Sequence, residues 1–465
     1  MALLAKATCA QEEEIWEFSP YRVQVWVALE QTPELTSRLS DQIIRTIEWQ
    51  ADVADIAVWR VDAELAPAEY RSEIVYGLEQ MTIADETDEA DPRLQGDKSI
   101  FVSVSLTPGG YRIQARQLDC RYRQWSPVIE RTTLQIDRIP FEAAVAMRQS
   151  FRPIVQIEKV QGKEAQVRVR AGGLVLTESS PGWIGDDAIL HPVIRRNDRV
   201  GKIKEGGMQP LPWTLLTIER RERQSTLYCD THSAMRYPLA GRTSMRVQRV
   251  AIVVRPTAEF SVLNTISQGK KSSKPLSGYE VYSRTPDSEE SELLGLTDWR
   301  GSIVVPKHET SPLRTLYVKS GARLLARLPM VPGAENGLLA ELPDDDHRLG
   351  AEAVVNGLEN LFLDLIARQQ VLASEIREAI QEKDLDEADK KLAELRKVED
   401  RSKFTMRLDL QHQALKKRNP VDGDKVDRLF LDLRNILGSH LNPNLPSELK
   451  REIEAARGGA RPPTS

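Results

Sequence analysis

An abrupt change of hydrophobic period at Asp344 limits what this chain can fold into. Before it, short runs with apolar residues at every second position, as in Val102, Val104 and Leu106, predominate between Gly, Pro and Asp, with a few short helical patterns among them. After it they recur every three to four positions, through Val354, Leu358, Leu361, Leu365, Leu372, Ile376 and Ile380. Period two lines one face of a strand, and a period near 3.6 lines one face of a helix. At 465 residues the chain also exceeds what one hydrophobic core supports. The pattern predicts a multidomain α+β protein: an N-terminal α+β domain over 18–152, a small β-barrel-like domain over 153–248, a β-sandwich over 249–333, a helical hairpin or bundle over 344–457, and a disordered tail over 458–465.

Within the first region, 22–29 reads as a strand and 33–49 as an amphipathic helix through Leu35, Leu39, Ile43 and Ile47. A second strand over 56–61 and a second helix over 67–81 precede an acidic loop over 84–92. Pro108-Gly109-Gly110 turns a hairpin. On its return strand Tyr111, Ile113 and Ala115 share one parity, whereas Leu118, Cys120 and Tyr122 share the other. An extra residue shifts parity in this way, so a β-bulge is expected near Arg116-Gln117. A helix over 140–151 closes the order β-α-β-α-β-β-α, an open α+β sandwich.

The second region opens on a hairpin around Gly162-Lys163 and continues through short apolar runs rich in Gly, Pro and Asp, the texture of a small barrel. Short strands from 247 onward suggest a sandwich. Beyond Asp344, Asp384 with Glu387 restarts the helical pattern as a cap, and Leu385, Ala388, Leu392, Leu395 and Val398 form the stripe of the returning helix. Phe404, Met406, Leu408 and Leu410 alternate with period two and leave helix and strand both open.

Between Leu293 and Val305 the chain reads LLGLTDWRGSIVV. Asp298 can accept from backbone amides ahead of it, and Gly301 supplies a position with positive φ, so a tight turn is expected. Leu296-Thr297-Asp298 with Gly301 and Ser302-Ile303-Val304 resembles the T-D-x-x-G-x-φ turn of transthyretin-like modules, which include the carboxypeptidase regulatory-like and PEGA-type domains. The resemblance covers 249–333 only and lacks the PEGA-type name motif. It implies a non-catalytic adhesive, spacing or docking role. By element order the first region resembles the small α+β domains of bacterial envelope-assembly proteins, and the whole chain resembles bacterial cell-envelope proteins.

Motifs for chemistry are sparse. Asp344-Asp345-Asp346-His347 has metal-ligand types, but acids at a helix start also answer the helix dipole. Cys229-Asp230-Thr231-His232 pairs a thiol with an imidazole and lacks the further ligands of a zinc site. His308-Glu309 begins like a zincin motif, yet Pro312 stands where the second His belongs. Ser267 with Lys270, and Ser447 with Lys450, match S-x-x-K without its partner motifs. No cofactor is expected. Cys120 and Cys229 could pair in an oxidising compartment or remain two unrelated thiols. A cationic cluster, Arg195, Arg196 and Arg199, supplies anion-binding candidates, although Asp198 and Glu205 are interleaved.

The net charge of −5 offers no general attraction to nucleic acid. No apolar run reaches the roughly 20 residues of a transmembrane helix. Thr8-Cys9-Ala10 ends in a small residue, as a signal-peptidase site does, so 1–10 is read as a signal-peptide remnant, with a cytosolic tail as the alternative. The expected function is a non-enzymatic, exported, periplasmic or envelope-associated binding or assembly protein whose partners are other envelope proteins or a cell-surface polymer. The alternatives are a hydrolase with its site between the first two domains, and a cytoplasmic scaffold.

Overall fold

A computed structural model of the chain describes residues 16–55, 57–83, 87–88, 90–240, 244, 246–268, 273–321, 323–335, 337–343, 346–418, 423–440 and 442–458. The expected signal-peptide remnant, Asp344-Asp345, the Gly269-Lys270 half of the first S-x-x-K match and the tail from 459 lie outside the described residues. The protein is a multidomain mixed α+β chain of two compact units, Met1–Leu342 and Pro343–Ser465.

The first unit begins with β1 (Tyr21–Leu29), α1 (Ser37–Asp55), β2 (Trp59–Leu65), α2 (Ala68–Gly77), β3 (Lys98–Thr107), β4 (Gly110–Asp119), β5 (Gln124–Trp125), β6 (Ile129–Thr133) and α3 (Ile139–Ser150). Its sheet runs β2-β1-β3-β4-β5, with β6 also on β4 and β1 parallel to both its neighbours. Alternation along β1 feeds two cores. Val23, Val25 and Val27 pack with Leu39, Ile43 and Ile47 of α1, while Trp26 and Ala28 pack with Ile74 and Val75 of α2.

The same two-sided burial corrects the expected bulge. The β3–β4 register runs unbroken from Lys98↔Asp119 to Thr107↔Gly110. Ile113 and Ala115 enter the first core, and Leu118 enters the second beneath α2. The parity change therefore records a change in which face is buried, not an inserted residue.

Next come β7 (Ile154–Gln161), β8 (Glu164–Val169), β9 (Ile189–Asn197), β10 (Ile203–Pro210), β11 (Thr214–Arg223), β12 (Thr226–Ser233) and β13 (Val247–Val254). The pairing β9-β11-β12-β8-β7-β13 closes into a barrel through β13 and β9, with β10 laid on β9. Here β13 differs from expectation, which placed it in the third region. Ala251 and Val253 fill the barrel, whereas Val250 and Ile252 join the first domain's core. A barrel wall buried on both sides shows no alternation, and its apolar run reads like any sandwich strand.

The third part contains β14 (Phe260–Ser267), β15 (Glu280–Arg284), β16 (Glu292–Leu296), β17 (Ser302–Pro306), β18 (Arg314–Ser320), β19 (Arg323–Met330) and β20 (Gly337–Leu342). Sheets β17-β14-β20 and β16-β15-β18-β19 enclose Leu263, Tyr279, Val281, Val305, Leu316 and Leu342. β20 pairs in parallel with β14, so the sandwich extends past the expected limit at 333.

The second unit is helical: α4 (Asp346–Gln381), α5 (Leu385–Leu395), α6 (Arg401–Arg418), α7 (Gly423–His440) and α8 (Leu445–Arg457). Leu372, Ile376 and Ala379 of α4 pack with Ala388, Leu392 and Leu395 of α5 and with Leu449 and Ile453 of α8. The Asp384 carboxylate accepts from the Glu387 amide at 3.0 Å and caps α5. The ambiguous segment is helix α6. Phe404 and Leu408, four apart, are buried, while Met406 and Leu410 are 66% and 63% exposed. No described helix is long and apolar enough to cross a membrane.

Candidate functional site

Where the first sheet, the barrel and the sandwich of the first unit meet, they leave a cleft of about 860 Å³. Arg116 and Trp125 line it from the sheet, Arg152 from the segment after α3, His191 and Thr214 from the barrel, and Met330, Val331 and Leu339 from the sandwich. Strand parity explains the sheet's contribution. Gln114 and Arg116 sit on the face of β4 opposite Ile113 and Ala115, away from α1 and α3.

Backbone carbonyls, not carboxylates, hold the arginines. Arg116 donates through Nη1 to the carbonyls of Leu78 (2.7 Å), Glu79 (2.8 Å) and Met81 (3.1 Å), and through Nε to that of Ser126 (3.0 Å). Its guanidinium lies 4.4 Å from the centre of the Trp125 ring. Arg152 donates through Nη2 to the Trp125 carbonyl, while its Nε is buried without a partner. Nearby, Arg255 donates to the Gln149 carbonyl at 3.1 Å. Burial pushes Arg116 and Arg152 down to about 10, Arg152 with a further push from Arg255, and burial also lowers Arg255. All three remain cationic at neutral pH. Neutral acceptors take their hydrogen bonds, and carboxylates oppose the loss of charge only through space, Glu79 at Arg116 and Asp119 with Glu335 at Arg152, a costly arrangement in a partly dry site.

A buried network fixes Arg152 from behind. Its amide donates to Gln117 Oε1 at 2.7 Å, and its carbonyl accepts from Lys98 Nζ at 2.9 Å. Lys98 in turn pairs with Asp119 at 2.6 Å, with both side chains at most 1% exposed. Burial lowers the Lys98 pKa, and Asp119 opposes the shift.

His191 is held near neutrality's uncharged form, because burial lowers its pKa. With Nε2 donating to the Leu211 carbonyl at 3.0 Å, the neutral ring presents Nδ1 as an acceptor. Glu79, Glu130 and Glu335 line the cleft from exposed positions, so its mouth is acidic and its interior cationic.

The residues singled out from sequence lie elsewhere. Arg195 is spent on the Asn197 side chain (2.8 Å) and the Arg121 carbonyl (2.9 Å), a strut between barrel and first domain. Arg196 and Arg199 are exposed. Cys120 and Cys229 are free and buried, one beside Ser99 and the other in the barrel core, so the pairing considered for them is not formed. Burial pushes both thiols up to about 12, far from thiolate character at neutral pH. His232, an odd number of positions from Cys229 on β12, bonds Thr217 Oγ1 at 2.9 Å from the opposite face. Among the described residues no group of three or more His, Cys, Asp or Glu is gathered to hold a metal ion. The cleft arginines escaped the sequence reading because they are isolated along the chain and converge only through topology.

No known protein family matches the chain, and no curated protein does. Among solved structures, TolB from Acinetobacter baumannii aligns over 70% of this chain and 96% of its own, at 11% identity and a TM-score of 0.19.

Proposed function

We propose that the chain is a non-catalytic binding or assembly protein of a bacterial cell envelope, exported to its site of action, and that the three-domain cleft is where it engages its ligand. The carrying observation is a cleft of about 860 Å³ lined by Arg116 and Arg152, both anchored by carbonyls, with carbonyl-anchored Arg255 close enough to act on Arg152. Arginine keeps its charge throughout the physiological range and transfers no proton, so it serves recognition. The sandwich would act as a transthyretin-like spacing or docking module, in keeping with the non-catalytic habit of the modules its turn resembles.

Obstructing the cleft tests this reading. Leu339 is 55% exposed and lines it, so Leu339→Trp adds bulk without entering a core. Parent and variant would be captured from cross-linked native envelopes and their companions identified by mass spectrometry. The variant should lose its companions by about tenfold or more, as expected when a binding pocket is blocked. Equal recovery from both would remove the cleft as the binding site. Intact protein confined to the cytosolic fraction would remove export.

The hydrolase reading rests on a different observation, the open Nδ1 of neutral His191 within the cleft. It requires His191→Gln to abolish turnover of whatever the cleft binds without weakening the binding.

A further inference from the structure

Arg152 is an incomplete ion pair. Its Nη2 is used by the Trp125 carbonyl, its Nε is buried with no partner, and no described carboxylate pairs with it. Native proteins pair nearly all buried polar groups, so the sealed Nε leaves this guanidinium short of hydrogen bonds, and the part of Arg152 that lines the cleft is where a ligand can supply more. Three neighbouring features define that ligand further. Arg255 adds a second carbonyl-anchored cation whose field reaches Arg152. Trp125, Met330 and Leu339 supply an apolar wall in the same cleft. The exposed glutamates at the mouth repel a dianion about twice as strongly as a monoanion, because Coulomb energy scales with charge.

Resting on the binding reading above, we propose that the cleft takes a ligand through a single carboxylate, its oxygens on Arg152 and its carbon skeleton along Trp125, Met330 and Leu339. A planar two-oxygen acceptor matches the guanidinium fork, and one negative charge offsets the buried cation. The carboxylate could end a peptide chain or belong to a free organic acid; the chemistry at Arg152 is the same.

Isothermal titration of the full chain separates these sources. The probes are acetyl-Ala-Ala-Leu as the free acid, the same peptide as its C-terminal amide, hexanoate and hexyl phosphate. At least one carboxylate should bind. If the peptide acid binds, its amide should bind about tenfold more weakly or less, the loss expected for a charge-assisted hydrogen bond. Binding of the peptide acid alone assigns a chain terminus, and binding of hexanoate assigns a free acid. Arg152→Lys keeps the charge and loses the fork, and should weaken binding about tenfold. Arg255→Gln should weaken it as well, and decides the matter if the Arg152 variant fails to fold. Equal binding of acid and amide, tighter binding of hexyl phosphate than of either carboxylate, or no carboxylate binding by the parent would each overturn the proposal. Loss of companions in Leu339→Trp together with indifference to carboxylates would retain the binding cleft and discard this ligand class alone.

Discussion

At Gly301 the backbone takes φ of +74°, and a Cβ there would lie 2.4 Å from the Thr265 carbonyl oxygen. The Gly301 carbonyl accepts from the Thr265 amide at 2.8 Å, so the close approach is part of the sandwich's own hydrogen bonding. Asp298 Oδ1 accepts from the amides of Arg300 and Ser302, both at 2.8 Å, which closes the loop locally. Trp299 stands 75% exposed with the Arg300 guanidinium 4.5 Å from its ring centre. The Thr-Asp-Trp-Arg-Gly run is a structural turn. Gly301→Val meets both a forbidden φ and a backbone clash, and should destabilise the first unit by more than about 2 kcal/mol. Asp298→Asn keeps an acceptor oxygen and should cost less than about 1 kcal/mol. Thermal melts of the full chain compare the two. A functional Asp298 would give the reverse pattern, with Asn abolishing activity and leaving the melt unchanged.

Among the elements, α2 depends on a residue outside itself. The carbonyls just past its end at Gly77, those of Leu78, Glu79 and Met81, converge on Arg116 of β4, which tethers the helix end to the cleft wall through Trp125. Arg116→Met keeps most of the stem and removes the donors. Amide exchange over 68–83 should then accelerate by about tenfold or more, with β9 unaffected; unchanged exchange would show that the helix end is held by packing alone. Such a tether is illegible in sequence, where Arg116 is one more polar residue in an alternating strand. Elements with a single buried face were legible, α1 through Leu39, Ile43 and Ile47 and the α4–α5 pair with its Asp384 cap, and so was the Pro108-Gly109 hairpin through its turn residues. Elements buried on two faces were not. Leu118 suggested a bulge and β13 an extra sandwich strand, because alternation reports burial on one side and falls silent when the other side is covered too. The candidate site failed for a related reason. Clustering along the chain marks Arg195, Arg196 and Arg199, which cluster only to diverge, whereas Arg116 and Arg152 reach one cleft through the first domain's topology and Arg255 joins them from beyond β13.

For the molecule as a whole, the change of hydrophobic period at Asp344 coincides with the division into two compact units at Leu342 and Pro343. Among the described residues each unit closes its own cores: before the division two in the first domain, one in the barrel, one in the sandwich and a small one joining Ile189 and Leu215 of the barrel to Leu313 and Val331, and after it two in the helical unit. Cooperativity follows the continuity of a core, so the units should unfold as separate transitions. Phe362 provides a selective probe. It is 1% exposed, its ring centre lies 5.7 Å from that of Phe404, and it packs among residues of the helical unit. Phe362→Ala should remove about 3–5 kcal/mol through lost burial and a residual cavity. In calorimetry of the full chain it should lower one transition and leave the other in place. Leu190→Ala, which opens the barrel core, should do the converse. Because Val250 and Ile252 of β13 share the first domain's core, that loss should spread through the first domain rather than stay within the barrel. A single transition shifted by both variants would mean that the two units fold as one, and that the change of period marks a change of secondary structure without marking a boundary of stability.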